Sequence, residues 1–213
     1  LAQHLGKAGK NTLLIPFAAV TYSFDEYVEK VNTALSNYHI QVTGIHSYSD
    51  PIAAVNRAEA ILVGGGNTFQ LIKMMQEQGL IRAIRERVLY GGVPYAGWSA
   101  GSNVACPTIC TTNDMPVVEP QSFEAFGFVP YQINPHYLDA HPEGHGGETR
   151  EQRILEYIAA NPGRYVVGLR EGCRLFVDDK ETRLVGDKPA RIFKYGEAPR
   201  EVAPGASLDF LYQ

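Results

Sequence analysis

The chain has 213 residues, of which 45% are hydrophobic and 20% charged, a balance typical of a globular protein with a buried core. Its net charge of −4 argues against nucleic acid as a partner, because such binding requires a basic face. No apolar run approaches the roughly 18 residues of a membrane span, and three cysteines without framework spacing predict reduced thiols and a cytoplasmic protein.

Short apolar runs alternate with amphipathic stretches along the first half of the chain, the pattern of parallel strands joined by crossover helices. The predicted strands are Thr12–Phe17, Ile40–Ile45, Ala60–Val63 and Val93–Ala96. The predicted helices begin after Ser23, which forms a capping box with Glu26, at Pro51, at Thr68 and at Leu80. Because an α/β protein is expected to open on a strand, the helix-like start at Leu1 predicts that N-terminal residues are missing.

The second half of the chain is less regular, and its C-terminal part is rich in strand-like runs. The predicted elements are a strand at Tyr131–Asn134, a helix at Glu148–Ala160 and strands at Tyr165–Leu169, Leu175–Val177, Arg183–Val185 and Arg191–Phe193. No repeat or linker interrupts the sequence. Residues 1–213 therefore predict a single α/β domain with a doubly wound, mostly parallel sheet flanked by helices and antiparallel C-terminal strands.

The strongest chemical signal is a G-x-S-x-G motif, Gly97-Trp98-Ser99-Ala100-Gly101, placed between a predicted strand and a helix-capable stretch. Such a turn exposes the serine hydroxyl, and the backbone N–H of the next residue points at the developing oxyanion. Ser99 is therefore the candidate nucleophile and Ala100 a candidate oxyanion donor. The alternative is a glycine-rich turn that lets the helix pack close to the sheet.

A glycine-rich loop, Gly64-Gly65-Gly66-Asn67, closes the preceding predicted strand. Loops at the carboxyl ends of parallel strands meet at one edge of the sheet, so Gly65 and Gly66 are candidates for the second oxyanion donor. A plain turn and a phosphate-binding loop are the alternatives. A dinucleotide site is disfavoured, because Phe69 stands where G-x-G-x-x-G requires glycine, and no P-loop lysine follows.

A serine nucleophile requires a base, and His136 is the best-placed histidine because it directly follows a predicted strand. Two acids are candidates for orienting it, and spacing does not decide between them. Asp114 gives the chain order Ser, Asp, His and lies in a Thr- and Asn-rich loop, so it is preferred. Glu171 follows a predicted strand and is the alternative acid.

The segment that follows His136 offers a metal-binding alternative through four side chains, those of His141, Glu143, His145 and Glu148. A helix that would place both imidazoles on one face is disfavoured by Gly144, and the zinc-protease pattern H-E-x-x-H is absent. We therefore expect no catalytic metal.

Several blocks in this order make the chain similar to a known family. They are Pro16-Phe17-Ala18, Val63 to Gln70, Gly97 to Gly101, Thr111 to Pro116, Ile133-Asn134-Pro135-His136 and the stretch from Glu143 to Arg153. The sequence resembles the peptidase E family, the bacterial α-aspartyl dipeptidases, from about Asn11 to the C-terminal strands. Members of that family carry an extra strand and helix before the position of Leu1, in line with the missing N-terminus.

The resemblance implies a cytoplasmic serine peptidase with a fold like the class I glutamine amidotransferases. It implies hydrolysis of small Asp-X dipeptides without a cofactor. By position, Ser99 matches the nucleophile, His136 the base, and Asp114 and Glu171 the two acids discussed for the relay. Gly65, Gly66 and Ala100 match the oxyanion region. Oligomeric state is not predicted.

Selection of aspartate requires a cation, and arginine binds a carboxylate through two parallel hydrogen bonds. Arg150 is the candidate, because a basic residue in a first helical turn opposes the helix dipole and so lacks a stabilising reason to be there. A surface arginine paired with Glu148 or Glu151 is the alternative, and Arg170 is the rival. Other functions kept open are a cyanophycinase-like or amidotransferase-like hydrolase and a non-catalytic amidotransferase-like binding protein.

Overall fold

The computed structural model of the chain describes residues 11–139, 146–179 and 181–213. The first sheet is parallel, with the strand order β2-β1-β3-β4. Its strands are β1 (Thr12–Ile15), β2 (Val42–Gly44), β3 (Ala60–Val63) and β4 (Tyr95–Gly97). The parallel order and the crossover connections are those predicted from the alternating pattern.

A second four-stranded sheet has the order β10-β9-β6-β5. Its strands are β5 (Gln132–Pro135), β6 (Val166–Leu169), β9 (Ala190–Phe193) and β10 (Arg200–Val202), and a separate hairpin is formed by β7 (Arg174–Asp178) and β8 (Glu181–Val185). Strands β5 and β6 are parallel, whereas β9 and β10 run antiparallel to their neighbours. The predicted antiparallel C-terminal strands are confirmed, and β10 is an additional strand that the sequence pattern missed.

Six α-helices lie in the described part of the chain: α1 (Phe24–Leu35), α2 (Pro51–Arg57), α3 (Thr68–Glu77), α4 (Leu80–Leu89), α5 (Ala100–Ala105) and α6 (Arg150–Ala160). The predicted capping box at the start of α1 is formed. Helix α6 begins two residues later than predicted, because Thr149 is its cap and Gln152 completes a second capping box. Across the described residues, no helix is both long and apolar enough to cross a membrane.

Both faces of the first sheet are buried. Leu13 and Ile61 belong to a cluster with residues of α2 to α5, whereas Leu14 and Leu62 pack with residues of α1 on the opposite face. Successive side chains of a strand point to opposite faces, so strands covered by helices on both sides read as continuous apolar runs. This arrangement confirms the doubly wound, mostly parallel sheet flanked by helices.

Side chains complete the edge of β5 that faces α5. The carbonyl oxygen of Ile133 accepts hydrogen bonds from Asn103 Nδ2 at 3.0 Å and Thr111 Oγ1 at 2.9 Å, and its N–H donates to Cys106 Sγ at 3.2 Å. These side chains take the place of a neighbouring strand as hydrogen-bond partners of the β5 backbone. Strand β5 is therefore the edge strand of the second sheet. The same bonds also hold the end of β5 against the helix that begins beside Ser99.

Candidate active site

Ser99 lies in the turn between β4 and α5, the strand–turn–helix context predicted for its motif. Its φ of 55° is unusual for a residue with a side chain, and a conformation of this kind costs about 1–3 kcal/mol. A Cβ on Gly97 would collide with the carbonyl oxygen of Gly101, and a Cβ on Gly101 with that of Val63. Both glycines are therefore required for the close approach of strand and helix that defines a nucleophile elbow.

The glycine-rich loop after β3 lies directly beside this elbow. A Cβ on Gly65 would stand 2.9 Å from the Cβ of Ser99, so only glycine leaves the space between them open. Among the described residues, no acceptor is hydrogen-bonded to the backbone N–H groups of Gly65, Gly66 or Ala100. Three unpaired donors therefore belong to the two loops that meet at Ser99, the arrangement that an oxyanion site requires.

His136 directly follows β5 and has a φ of 54°. Its Nδ1 lies 2.5 Å from Oε2 of Glu171, which follows the neighbouring parallel strand β6. Both side chains are more than half exposed. With Nδ1 on the carboxylate, Nε2 is the nitrogen left to receive a proton. No hydrogen bond joins His136 to Ser99 Oγ in the described part of the chain, and catalytic hydrogen bonds commonly tighten only when substrate is bound.

Asp114 contacts the start of α3 and not His136. Its Oδ2 accepts hydrogen bonds from Thr68 N at 2.7 Å, Thr68 Oγ1 at 2.6 Å and Thr112 Oγ1 at 3.1 Å. The threonine-rich surroundings do hold the carboxylate, as expected, but they hold it at the positive end of a helix. In the structure, the acid in contact with His136 is Glu171, the alternative acid, whereas the preferred acid Asp114 contacts the start of α3.

Arg150 is the first residue of α6, and its side chain forms no hydrogen bond or salt bridge to any described residue. The two glutamates expected to pair with it have other partners: Glu148 lies 3.6 Å from Arg153, and Glu151 lies 2.9 Å from Arg191. Burial, then the charge of Arg153, lowers the pKa of Arg150, and the carboxylate of Asp114 partly offsets this. Arg150 is thus a partly buried cation, close to Asp114 but not paired with it.

Arg170, the rival candidate for reading a substrate carboxylate, is already occupied. Its guanidinium forms two hydrogen bonds to each of two carboxylates, those of Asp139 and Glu201. The same hydrogen bonds raise the pKa of Arg170, with that to Glu201 contributing most. Only Arg150 of the two arginines has donors available for a substrate.

The sequence profile of peptidase family S51 matches residues 1–185. This chain belongs to peptidase family S51. Peptidase E of Nostoc sp. (strain PCC 7120 / SAG 25.82 / UTEX 2576) is 48% identical over 209 residues, 98% of this chain and 86% of that protein. Peptidase E of Shigella flexneri serotype 5b (strain 8401) is 50% identical over 188 residues, 88% of this chain and 82% of that protein. The resemblance inferred from the motifs is confirmed.

The S51 chain also shares its fold with a solved structure, that of a peptidase from an acI-B1 Actinobacterium. The two superimpose with a TM-score of 0.71 at 19% identity, over 97% of this chain and 88% of the other. At this level of identity the likeness concerns the fold alone. The mostly parallel sheet predicted from the sequence is therefore shared with a known peptidase.

The metal alternative falls largely outside the described residues of this S51 peptidase. His141, Glu143 and His145 lie between residues 139 and 146, and the fourth candidate, Glu148, contacts Arg153.

One residue of the candidate site, Tyr27, is not marked by any motif in the sequence. Tyr27 lies on α1, and its hydroxyl donates a hydrogen bond of 2.8 Å to the carbonyl oxygen of Gly65. This bond holds the glycine-rich loop against α1. Burial raises the pKa of Tyr27 to about 12, so it remains a donor at neutral pH. In the sequence Tyr27 is one of several apolar residues at helical spacing, and only the buried hydroxyl, which requires a partner, sets it apart.

Proposed function

We propose that this S51 peptidase is a serine dipeptidase that cleaves Asp-X dipeptides after the N-terminal aspartate. The observation that carries the proposal is Ser99 in a strained elbow beside the glycine-rich loop, with no acceptor among the described residues for the N–H groups of Gly65, Gly66 and Ala100. Such a site is built for a tetrahedral oxyanion next to a serine hydroxyl, which is the intermediate of acyl transfer. The name peptidase E of the relatives at about 50% identity supports the same reaction class.

In the proposed mechanism, Ser99 Oγ attacks the peptide carbonyl carbon while its proton passes to His136 Nε2. The negative charge that develops on the carbonyl oxygen is stabilised by the N–H of Ala100 and those of Gly65 and Gly66. His136 then gives its proton to the leaving amine, and the C–N bond breaks to leave an aspartyl ester on Ser99. A water molecule, deprotonated by His136, attacks this ester; the bond from the acyl carbon to Ser99 Oγ breaks, and His136 returns the proton to Ser99 Oγ. The sequence of steps requires only side chains, backbone and water.

Glu171 is the proposed orienting acid. Its contact with Nδ1 holds the imidazole in the tautomer whose Nε2 accepts a proton, and it stabilises the imidazolium that forms. Asp114 receives a different role in this proposal. By bonding Thr68, two residues after Gly66, it holds the start of α3 and thereby the loop that carries the oxyanion donors.

This division of roles predicts that Glu171→Gln lowers kcat far more than Asp114→Asn. Without the Glu171 carboxylate, the wrong tautomer of His136 is favoured, so we expect kcat to fall about 10⁴-fold. Asp114→Asn removes a charged acceptor from the α3 terminus, so the expected effect is a fall of about 1–3 kcal/mol in unfolding free energy. Steady-state kinetics and urea unfolding of the two folded variants, side by side, test the ranking. A larger kcat loss at Asp114 would reverse it.

Aspartate selection is proposed to rest on Arg150. A carboxylate that leaves water requires a compensating charge, and Arg150 is desolvated with no described ionic partner. Its guanidinium can bind the substrate carboxylate through two parallel hydrogen bonds. The charge of Asp114 lies near Arg150, where it repels a further carboxylate of the substrate and attracts the free α-ammonium of a dipeptide.

We expect wild-type enzyme to release amine from Asp-Leu faster than from Leu-Asp, Asn-Leu or β-aspartyl-Leu. Arg150→Met is expected to reduce kcat/KM for Asp-Leu by about 2–5 kcal/mol, the usual cost of breaking a desolvated charge pair, and to change Asn-Leu far less. Arg153→Met is the matched control, because Arg153 is an exposed arginine on the same helix that pairs with Glu148.

Each departure from this pattern has a distinct meaning. Equal losses on Asp-Leu and Asn-Leu in Arg150→Met would show that Arg150 supports the fold or the serine chemistry and does not read aspartate. A preference of the wild type for β-aspartyl-Leu would favour the cyanophycinase-like hydrolase. No hydrolysis of any peptide by folded protein would favour the non-catalytic binding protein.

We further propose that the enzyme acts in the cytoplasm on small peptides. Cys106, Cys110 and Cys173 are all free thiols in the fold. Reduced cysteines are typical of a compartment kept reducing by glutathione and thioredoxin, which supports this location.

A further inference from the structure

The pair formed by His136 and Glu171 is not held in place by its own contacts alone. The side chains are 52% and 73% exposed. An exposed contact between two flexible side chains fixes its own geometry only weakly, because solvent competes for both partners and ordering the side chains costs entropy. The precise placement that proton transfer requires must therefore come from the chain segments that carry the two residues.

Arg170, next to Glu171, is far less exposed than this pair, with 12% of its side chain accessible to solvent. Its Nε and Nη2 donate to the two oxygens of Asp139 at 2.9 and 2.7 Å. Nη1 and Nη2 donate to the two oxygens of Glu201 at 2.7 and 2.9 Å. Paired hydrogen bonds of this kind fix orientation as well as distance. We call Arg170, Asp139 and Glu201 the Arg170 cluster.

The Arg170 cluster joins the two segments that carry the catalytic pair. Asp139 lies three residues after His136, so the contact between Asp139 and Arg170 connects the segment after β5 to the segment after β6. A second connection lies between them, since Tyr137 N donates to Leu169 O at 3.0 Å. The guanidinium of Arg170 also lies over the Tyr137 ring, 5.4 Å from its centroid.

The cluster is anchored in the second sheet. Glu201 belongs to β10 and also accepts a hydrogen bond from Arg191 of β9 at 3.0 Å. Arg191 in turn lies 2.9 Å from Glu151 of α6. The hydrogen bonds of Arg170 lower the pKa of both Asp139 and Glu201, so both carboxylates remain ionised partners at neutral pH.

We propose that Arg170 is a positioning residue that holds His136 and Glu171 in catalytic geometry by tying together the two segments that carry them. The proposal rests on the proposed serine mechanism for its kinetic consequence, but not for its structural one. Backbone strain at His136, whose φ is 54°, adds to the need for such a tie, because a strained residue persists only when its surroundings hold it there.

The test compares Arg170→Met and Asp139→Asn with the control Arg191→Met in the full chain. Arg191 belongs to the same ionic network, but among the described residues its side chain donates hydrogen bonds to Glu201 and Glu151 and to neither segment of the catalytic pair. A proton shared by His136 Nδ1 and Glu171 gives a far-downfield resonance in the proton NMR spectrum. We expect this resonance in wild type and in Arg191→Met, and its loss in Arg170→Met and Asp139→Asn. If Arg170→Met does not fold, Asp139→Asn tests the same contact from the other side.

The kinetic arm uses Asp-Leu as substrate. Arg170→Met is expected to lower kcat about 10²-fold with little change in KM, since small misplacement of a catalytic group has this effect. In a Glu171→Gln background, Arg170→Met should lower kcat little further, because the pair that Arg170 positions is already broken. Retention of both the resonance and kcat in folded Arg170→Met, or equal losses in both backgrounds, overturns the proposal. Wild type that shows the resonance but cleaves no peptide would refute the proposed function instead.

Discussion

Ser99→Ala is expected to yield a folded protein whose kcat on Asp-Leu is lower by about 10⁶, the loss that accompanies removal of a triad nucleophile. The covalent route disappears with the hydroxyl, and the remaining oxyanion donors and binding contacts sustain only slow attack by water. Ser99 Oγ makes no hydrogen bond to any described residue, so its removal leaves no partner unsatisfied. Steady-state kinetics, together with the urea midpoint of unfolding, separates lost chemistry from lost structure.

Ser102→Ala is the matched control for this experiment. Ser102 lies three residues further along α5, and its hydroxyl donates to Gly97 O at 3.2 Å. Its loss removes one hydrogen bond beside the elbow, worth about 0.5–1.5 kcal/mol in unfolding free energy, and leaves the nucleophile in place. If the kcat of Ser99→Ala were within tenfold of the wild-type value, Ser99 would not be the nucleophile.

Much of the fold followed from local patterns in the sequence. The capping box of Ser23 and Glu26 and the Asp50-Pro51 start were recognisable because caps depend on neighbouring residues only. The parallel strands were recognisable because burial on both faces makes them continuous apolar runs. Strand β10 was missed for the opposite reason: its three residues are largely polar and lie at a sheet edge, where no apolar signal is required.

The division into two sheets was not predictable from the same patterns. It depends on Asn103 and Thr111, whose side chains bond the backbone of β5 in place of a neighbouring strand. Polar residues of these types usually lie in caps and turns, so nothing in their local sequence indicates a sheet edge. Only the packing of α5 against β5 brings them there.

The candidate site shows the same limit. The elbow at Ser99 is a local motif and was recognised with its strand and helix. The choice between Asp114 and Glu171 is a question of which loops meet, and chain spacing carries no information about that. Once β5 and β6 are known to pair with Pro135 opposite Leu169, the segments that follow them must be neighbours, and Glu171 reaches His136 across 35 positions of sequence. Both strands had been predicted, but not their adjacency.

His136→Asn is expected to lower kcat on Asp-Leu nearly as much as Ser99→Ala, by about 10⁵–10⁶. The imidazole both takes the proton of Ser99 and returns it to the leaving amine, so its loss disables the nucleophile and the leaving group together. Asparagine is the informative replacement because it tolerates the positive φ of this position better than alanine does, so lost activity is not confused with backbone strain. The double variant with Ser99→Ala should be no slower than either single variant, since the two residues act as a unit.

The matched controls for His136→Asn are His141→Ala and His145→Ala, the other two histidines of the same stretch. Their substitution is expected to cost much less, and EDTA is expected to leave wild-type activity unchanged, because the proposed proton transfers run between side chains. If EDTA abolished activity and added metal restored it, with larger losses at His141 and His145 than at His136, the catalytic group would be a metal held by that stretch. His136, paired with Glu171, would then have no part in the reaction.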